Sequence, residues 1–448
     1  MLHKILIANR GEIAARIIRT CKKMGIQTVV VYSEADATAP FVSQADEAYL
    51  LGAARVDESY MNMDKIFEIA AKAKVDAIHP GYGFFSEHAG FAATCRDKGF
   101  VFIGPSAAII EKMGDKIQAR KLMQSAGVPI VPGTEAAVAS AEEAVSHAKQ
   151  IGYPVMLKAA AGGGGIGMHV VHSDEECLKV FASNADRAKR FFGNGAMFIE
   201  KKIENAHHIE VQVLADKHGN AVHLFDRECS VQRRNQKVIE EAVSPFISEA
   251  TRKALCEISA AAVQKIGYEN AGTLEFIVDS QENFYFLEMN TRIQVEHPIT
   301  EEITGLDIVA EQIHIAAGEP LSVSQAAINR SGHAIEARVY AENPKTFLPS
   351  PGEIETLTVP EMPNLRNEVA ICAQYMVTPF YDPMIAKVVA KGDTRAEAIQ
   401  NLIDGLSAWE ITGIQTNLDM LLTVLQTEAF QTGNTTTDFV DKHYLPLI

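Results

Sequence analysis

Residues 273–298 read Thr-Leu-Glu-Phe-Ile-Val-Asp-Ser-Gln-Glu-Asn-Phe-Tyr-Phe-Leu-Glu-Met-Asn-Thr-Arg-Ile-Gln-Val-Glu-His-Pro, and few arrangements accommodate them. Two runs, 274–279 and 284–290, are rich in aromatic and β-branched residues and flank a polar break at 280–283, which predicts a β-hairpin. Closed symmetrically on that break, the hairpin sets Glu275 opposite Glu288, with Cβ atoms about 5 Å apart. Two carboxylates that close repel each other unless a cation lies between them. Glu288, Asn290, Arg292, Gln294 and Glu296 continue at a spacing of two, so an extended chain presents all five on one face. A solvated face of an edge strand is the plain alternative. The donor chemistry favours a metal: Glu275, Glu288 and Asn290 offer oxygen ligands, and magnesium usually sits on one or two carboxylates plus substrate phosphates. Such a site implies a phosphate cradle elsewhere in the chain.

The length of 448 residues suggests about three domains, and 47% hydrophobic residues suffice for ordinary buried cores. A formal net charge of -16 argues against a nucleic-acid or anionic-membrane partner, which needs a broad basic surface. Cys21, Cys95, Cys177, Cys229, Cys256 and Cys372 include no Cys-x-x-Cys pair, so buried thiols in a reducing compartment are expected rather than a zinc site or disulfides. The first residues read as a strand and not a signal peptide, and no apolar run is long enough to span a bilayer. A cytoplasmic protein is expected.

Along the chain, residues 4–8, 12–24 and 27–32 form a β-α-β pattern that starts a parallel sheet. It lacks Gly-x-Gly-x-x-Gly, so it does not predict a dinucleotide site. The loop at 79–87, His-Pro-Gly-Tyr-Gly-Phe-Phe-Ser-Glu, follows a strand end, where open α/β sheets bind ligands. A packed tyrosine in a plain turn is an equally good reading of Tyr82 there. Residues 107–127 read as helical with a break at 114–116, and 128–133 as an extended connector. Strand 153–158, a glycine run at 162–167 and strand 168–171 make a hairpin whose backbone amides could cradle phosphate, with Lys158 supplying positive charge. It is not a Walker loop, having no Gly-Lys-Ser/Thr. Residues 228–241 gather Arg233, Arg234 and Lys237 in an otherwise acidic chain, as a binding cluster or a salt-bridged loop. Residues 300–317 read as one helix. Residues 333–340 alternate, with Glu336 and Arg338 sharing a face.

These motifs together resemble the biotin carboxylase subunit of biotin-dependent acyl-CoA carboxylases, within the ATP-grasp superfamily. The resemblance runs from Lys4 to about Asn417. It rests on Ile-Ala-Asn-Arg-Gly-Glu-Ile (7–13), His-Pro-Gly-Tyr-Gly (79–83), Met-Gly-Asp-Lys (113–116), Lys158 with its glycine loop, Gln-Arg-Arg-Asn-Gln-Lys (232–237), residues 288–297, Leu-Pro-Ser-Pro-Gly (348–352) and Tyr-Asp-Pro-Met (381–384). It implies an α/β and α+β multidomain fold: an amino-terminal Rossmann-like α/β domain at 1–114, an ATP-grasp domain at 115–330 with a mobile glycine-rich lid at about 132–203, and a mixed β domain at 331–448.

The resemblance also implies a reaction and roles. ATP, bicarbonate and biotin on a carrier protein give ADP, phosphate and carboxybiotin through carboxyphosphate, the first half-reaction of an acyl-CoA, and expectedly acetyl-CoA, carboxylase. Lys116, Lys158, Gly164 and Gly165 would hold ATP phosphates; Glu200, Lys201, Lys202 and Ile203 would meet adenine; His208, Gln232 and Asn235 would line the nucleotide site. Glu275, Glu288 and Asn290 would hold magnesium or manganese, two ions in all, with Glu275 and Glu288 also counted in the ATP site. Lys237, Arg292, Gln294 and Val295 would hold bicarbonate, Glu296 would act on it as a base, and Tyr82 and Arg338 would hold biotin, with Arg338 stabilising its enolate. Lys237, Arg292, Glu296 and Arg338 form the catalytic set. The family commonly has a basic residue where Ile166 stands, and often His at Asn235. No Met-Lys-Met biotin-attachment motif occurs, so a separate biotin carrier and carboxyltransferase are the expected partners. A homodimer is implied too, with Arg16, Arg19 and Arg366 near its interface. Another ATP-grasp ligase, or a non-catalytic nucleotide-binding scaffold, is the alternative.

Overall fold

The computed structural model describes residues 2–160 and 168–448; Gly164, Gly165 and Ile166 of the expected phosphate loop lie outside the described residues. The amino-terminal part is a five-stranded parallel sheet in the order Glu47–Gly52, Gln27–Ser33, Lys4–Ile7, Ala77–His79, Val101–Phe102. Period-two alternation sends Ile5 and Ile7 into one core and Leu6 and Ala8 into another, so the sheet is covered on both faces, as parallel sheets are. Helix Gly11–Lys23 buries Ile13, Ala14, Ile17 and Ile18, the stripe its periodicity predicts.

The loops leaving this sheet are tied to each other. Asn9 Nδ2 donates to the carbonyls of Pro80 and Tyr82, both at 2.7 Å. That approach needs Gly81: its φ is +63°, and a Cβ there would lie 2.9 Å from Asn9 Nδ2. Beyond the sheet, helices Ala107–Gly114 and Lys116–Ala126 meet at Asp115, whose carboxylate accepts from Gln118 N at 2.9 Å. The break at 114–116 is therefore an N-cap that starts a second helix.

A small antiparallel sheet of Met168–Val171, Val155–Ala159 and Met197–Lys201 packs with helices Ala141–Ile151 and Asp174–Phe192 around its own core. The largest sheet is antiparallel and eight-stranded: Phe284–Asn290, Asn270–Val278, His207–Ala215, Ala221–Arg233, Gln236–Ala242, His333–Tyr340, Met384–Gly392, Leu365–Val369. Gln236–Ala242 pairs directly with His333–Tyr340, so residue 330 lies between two strands of one continuous sheet.

Three local readings change. The helix expected at 300–317 is two, His297–Thr304 and Ile308–Ala316, divided at Gly305 (φ +74°), with Asp307 capping the second. The cluster at 228–241 is not a loop but a hairpin turning at Arg234 and Asn235, φ +49° and +64°, the two consecutive positive values of a type I′ turn. Residues 333–340 form the expected strand, and all eight are buried because it is central in the sheet. Cys372 is half-buried, whereas the other five thiols are buried. Among the described residues, no helix is long and apolar enough to cross a membrane.

Candidate active site

The hairpin of Asn270–Val278 and Phe284–Asn290 sets Glu275 opposite Glu288, but not by symmetric closure. Val278, Ile277 and Phe276 pair with Phe284, Tyr285 and Phe286; the register then steps, and Glu275 and Leu274 pair with Glu288 and Met289. Leu287 is the extra residue of a bulge, and it lines the cavity beside the two acids. Strand geometry ends at Asn290; residues 291–296 bend, and Glu296 is the N-cap of helix His297–Thr304 with φ -83° and ψ 10°. Arg292, Gln294 and Glu296 thus reach the same cavity from an irregular turn and not from the extended face expected.

This cavity, of about 450 Å³, is lined by Lys116, Lys158, residues 200–203, His208, Gln232, Asn235, Lys237, Glu275, Glu288, Asn290, Arg292, Gln294, Val295, Glu296 and Arg338. Of the sequence candidates within the described residues, only Tyr82 is elsewhere. It lines a second cavity of about 450 Å³, which shares Gln236, Arg292, Val295 and Arg338 with the first. The two spaces therefore meet at Arg292 and Arg338.

The polar contacts divide the first cavity into two ends. At one, Lys158 Nζ lies 2.5 Å from Glu200 Oε2, and Arg120 bonds the other oxygen of that carboxylate. The amides of Lys201 and Lys202 donate to the carbonyls of Pro132 (2.8 Å) and Pro154 (3.1 Å), so these two donors are already engaged within the chain. Lys116 Nζ approaches Glu288 Oε2 at 3.5 Å. At the other end Lys237 Nζ contacts Glu210 (2.6 Å), Glu275 (3.0 Å) and Glu296 (2.7 Å). Arg338 Nη2 is 3.0 Å from the second oxygen of Glu296. Arg292 donates to Glu87 at 2.8 Å and Asn290 Oδ1 at 2.9 Å. Gln294 donates to Glu275 at 2.8 Å and accepts from Arg227 at 2.5 Å.

These contacts set the charges. Burial disfavours ionised Glu296, but Lys237, then Arg338 and Arg227, hold its carboxyl far below the usual range. Burial likewise opposes ionised Glu275, and Lys237 and His208 outweigh it. Lys237 is held well above the ordinary lysine value by Cys229, Glu210, Glu275 and Glu296, against burial. His208, with Nε2 2.9 Å from Glu275 and Nδ1 2.7 Å from Gln232, is raised by Glu275, again against burial.

Glu275 Oε1 accepts from Lys237, Asn290 and Gln294, whereas Glu288 meets only the distant Lys116 among the ion pairs of the described residues. Two facing carboxylates with an amide oxygen nearby fit a hard cation shared with phosphate oxygens.

Several functional residues gave no signal in the sequence. Arg227, fully buried, bonds Glu210, Gln212, Thr273, Gln294 and Thr300 and so braces the turn bearing Gln294. Glu87 fixes Arg292. Glu12 accepts the Tyr82 hydroxyl, which, together with burial, pushes that phenol well above its normal value.

Three family models cover most of the chain: "Biotin carboxylase, N-terminal domain" over residues 1–110, "Carbamoyl-phosphate synthase L chain, ATP binding domain" over 115–324 and "Biotin carboxylase C-terminal domain" over 336–442. The chain is 58% identical over 443 residues to Biotin carboxylase 2 of Bacillus subtilis, covering 99% of this chain and 100% of that protein. It is 49% identical to Biotin carboxylase of Haemophilus influenzae, covering 99% of each. Among solved structures, a biotin carboxylase–β,γ-ATP complex from Campylobacter jejuni matches with TM-score 0.97 and 46% identity, covering 99% of each chain. The biotin carboxylase domain dimer of Hydrogenobacter thermophilus 2-oxoglutarate carboxylase, in complex with MgADP, ADP and bicarbonate, matches with TM-score 0.96 and 46% identity, covering 99% and 98%. With matches of this extent at both levels, the chain belongs to the biotin carboxylase family.

Proposed function

We propose that this chain uses ATP and bicarbonate to carboxylate biotin borne on a separate carrier protein, as the first half-reaction of an acyl-CoA carboxylase. The supporting observation is the meeting of two cavities at Arg338: one with lysines, facing acids and the Lys237–Glu296 pair, the other with Tyr82. In this reading Lys116 and Lys158 take ATP phosphates, residues 200–203 with His208, Gln232 and Asn235 take the nucleoside, and Gly164 and Gly165, outside the described residues, are assigned to the phosphates as well. Lys237, Arg292, Gln294 and the Val295 amide take bicarbonate; Tyr82 and Arg338 take the biotin ureido ring. Residues 1–114, 115–330 and 331–448 act as the three domains.

Glu275, Glu288 and Asn290 would hold magnesium, which when bound would supply charge neutralisation at the phosphate oxygens. Glu296 accepts the bicarbonate proton. Lys237 and Arg338 suppress its basicity; bicarbonate on Lys237 and biotin on Arg338 compete for those cations, so each substrate raises the basicity of Glu296 as it arrives. The bicarbonate oxygen then attacks the γ-phosphorus and expels ADP; carboxyphosphate decomposes to CO2 and phosphate, that phosphate takes the ureido N–H proton of biotin, and Arg338 stabilises the resulting enolate, whose nitrogen captures CO2. A carrier protein, a carboxyltransferase and a second copy of this chain are the partners this reading implies.

The test is ADP release by the purified chain with MgATP, with and without bicarbonate and free biotin. Bicarbonate-dependent, biotin-stimulated release is expected. Release indifferent to biotin moves the reading to another ATP-grasp ligase.

A further inference from the structure

One buried pair has no part in the chemistry above. Glu240 on strand Gln236–Ala242 stands directly opposite Glu336 on strand His333–Tyr340. Both side chains have 0% exposure, and apart from the ion pair that Glu240 Oε1 makes with Arg338, their four oxygens have no polar partner among the described residues. Directly opposed residues have Cβ atoms about 5 Å apart, and two carboxylates facing each other in a dry interior do not both ionise.

The cation nearest the pair is the arginine that joins the two cavities. Arg338 lies two residues beyond Glu336, on the same face. Its Nη2 is 2.5 Å from Glu240 Oε1 and 3.0 Å from Glu296 Oε2, so one guanidinium nitrogen is held from behind by Glu240 and from the cavity side by Glu296. Lys387, opposite Arg338 on the next strand, is fully buried and engaged with Val295 O at 2.6 Å and Glu12 at 3.2 Å. Lys237 and Glu296 complete the charged surroundings on the cavity side. His297, on the packed helix, is kept neutral by burial and by Lys387, Arg16 and Arg366. Arg395 pairs with Glu241, which points to the other face of the strand.

We propose that Glu240 and Glu336 carry one proton between them, resident on Glu336, and that ionised Glu240 is a positioning residue that anchors Arg338 for the biotin-dependent half of the reaction. This rests on the carboxylase reading above. A single rear charge lets Arg338 exchange Glu296 for the biotin oxygen without losing its orientation; a doubly charged pair would bind the guanidinium too firmly to share it. Burial raises the Glu240 carboxyl to about 7 against the pull of Arg338. It raises Glu336 well above the usual range against Lys387, with Glu240 adding to the rise. The sign follows: below about 7 Glu240 takes up a proton, the pair becomes neutral and Arg338 loses its anchor. Biotin-dependent turnover therefore rises as pH increases through that value.

The experiment measures the pH profile of ADP release by wild type, Glu240→Gln and Glu336→Gln, with MgATP and bicarbonate, with and without free biotin. Glu240→Gln is expected to lower biotin-dependent kcat about tenfold to a hundredfold, the range for a misplaced reacting group. It should also flatten the limb near neutrality, and it should lower biotin-independent release much less. Glu336→Gln presents a neutral donor in place of the protonated carboxyl and is expected to keep the limb. A Glu240→Gln profile like wild type, equal loss of both activities, or loss of the limb in Glu336→Gln overturns the proposal. If Glu240→Gln fails to fold by circular dichroism, Glu240→Asp decides: it keeps the charge but withdraws it, so the limb should persist with a lower kcat, and an unaltered kcat overturns the proposal. Wild type without bicarbonate-dependent release overturns the carboxylase reading itself; a normal wild type with an indifferent Glu240→Gln overturns this inference alone.

Discussion

In the proposed reaction Glu296 is the base, and its charge is fixed by its neighbours. Lys237 at 2.7 Å and Arg338 at 3.0 Å keep it ionised, so removing it deletes the proton acceptor and the anion that both cations share. Glu296→Ala is expected to lower bicarbonate-dependent ADP release by about 10²–10⁴-fold, the usual contribution of a general base, while calorimetry still detects ATP binding. Turnover at the wild-type rate would remove Glu296 from this role. A second residue-scale effect lies on strand Leu365–Val369, two strands from Arg338. Glu368 is buried, yet Arg19 and Arg366 hold its carboxyl down at about 2. A depressed acid contributes stability that is present above its unfolded value, about 4.3, and lost as pH falls toward the folded value. Urea unfolding of wild type and Glu368→Gln should therefore differ by roughly 1–3 kcal/mol at pH 6, and the gap should shrink as pH is lowered below 4.5. A gap independent of pH would mean that Glu368 acts by packing.

At the scale of elements, the facing of Glu275 and Glu288 was legible because the strand pattern and polar break fix a hairpin. The bulge at Leu287 was not, because tip register depends on the four-residue turn and on neighbouring strands rather than on alternation. The exit turn at 291–296 was equally opaque: period two continues through it in the sequence, but Glu87 takes the Thr291 amide and Arg227 takes the Gln294 side chain, both from other elements. The loop bearing Tyr82 depends on Gly81. Gly81→Ala would carry a Cβ at φ +63° and 2.9 Å from Asn9 Nδ2, a left-handed strain of about 1–2 kcal/mol. It should push Asn9 off the Tyr82 carbonyl, so biotin-stimulated turnover is expected to fall more than biotin-independent ATP cleavage. An equal fall in both would place the effect elsewhere.

At the scale of the whole molecule, the sites exist because one eight-stranded sheet runs from the 284–290 hairpin strand to the strands beyond residue 330. ATP binding should therefore stabilise the entire chain. By mass action a ligand at a hundred times its Kd adds about 2.7 kcal/mol, and MgATP is expected to raise the unfolding temperature more than ATP with a chelator does. Glu288→Gln should abolish most of that difference, whereas a magnesium-dependent shift of wild-type size would exclude Glu288 as a ligand. By itself the sequence determined the parallel amino-terminal sheet, the facing of Glu275 and Glu288 and the polar residues that line the two cavities, because alternation, turn chemistry and side-chain type are local properties. Only the tertiary structure decided which cations neutralise which acids. Glu240 and Glu336 lie 96 residues apart in sequence, yet they face each other with Arg338 between them and Glu296. Their charge states follow from burial and distance, and neither is written in any one segment of the chain.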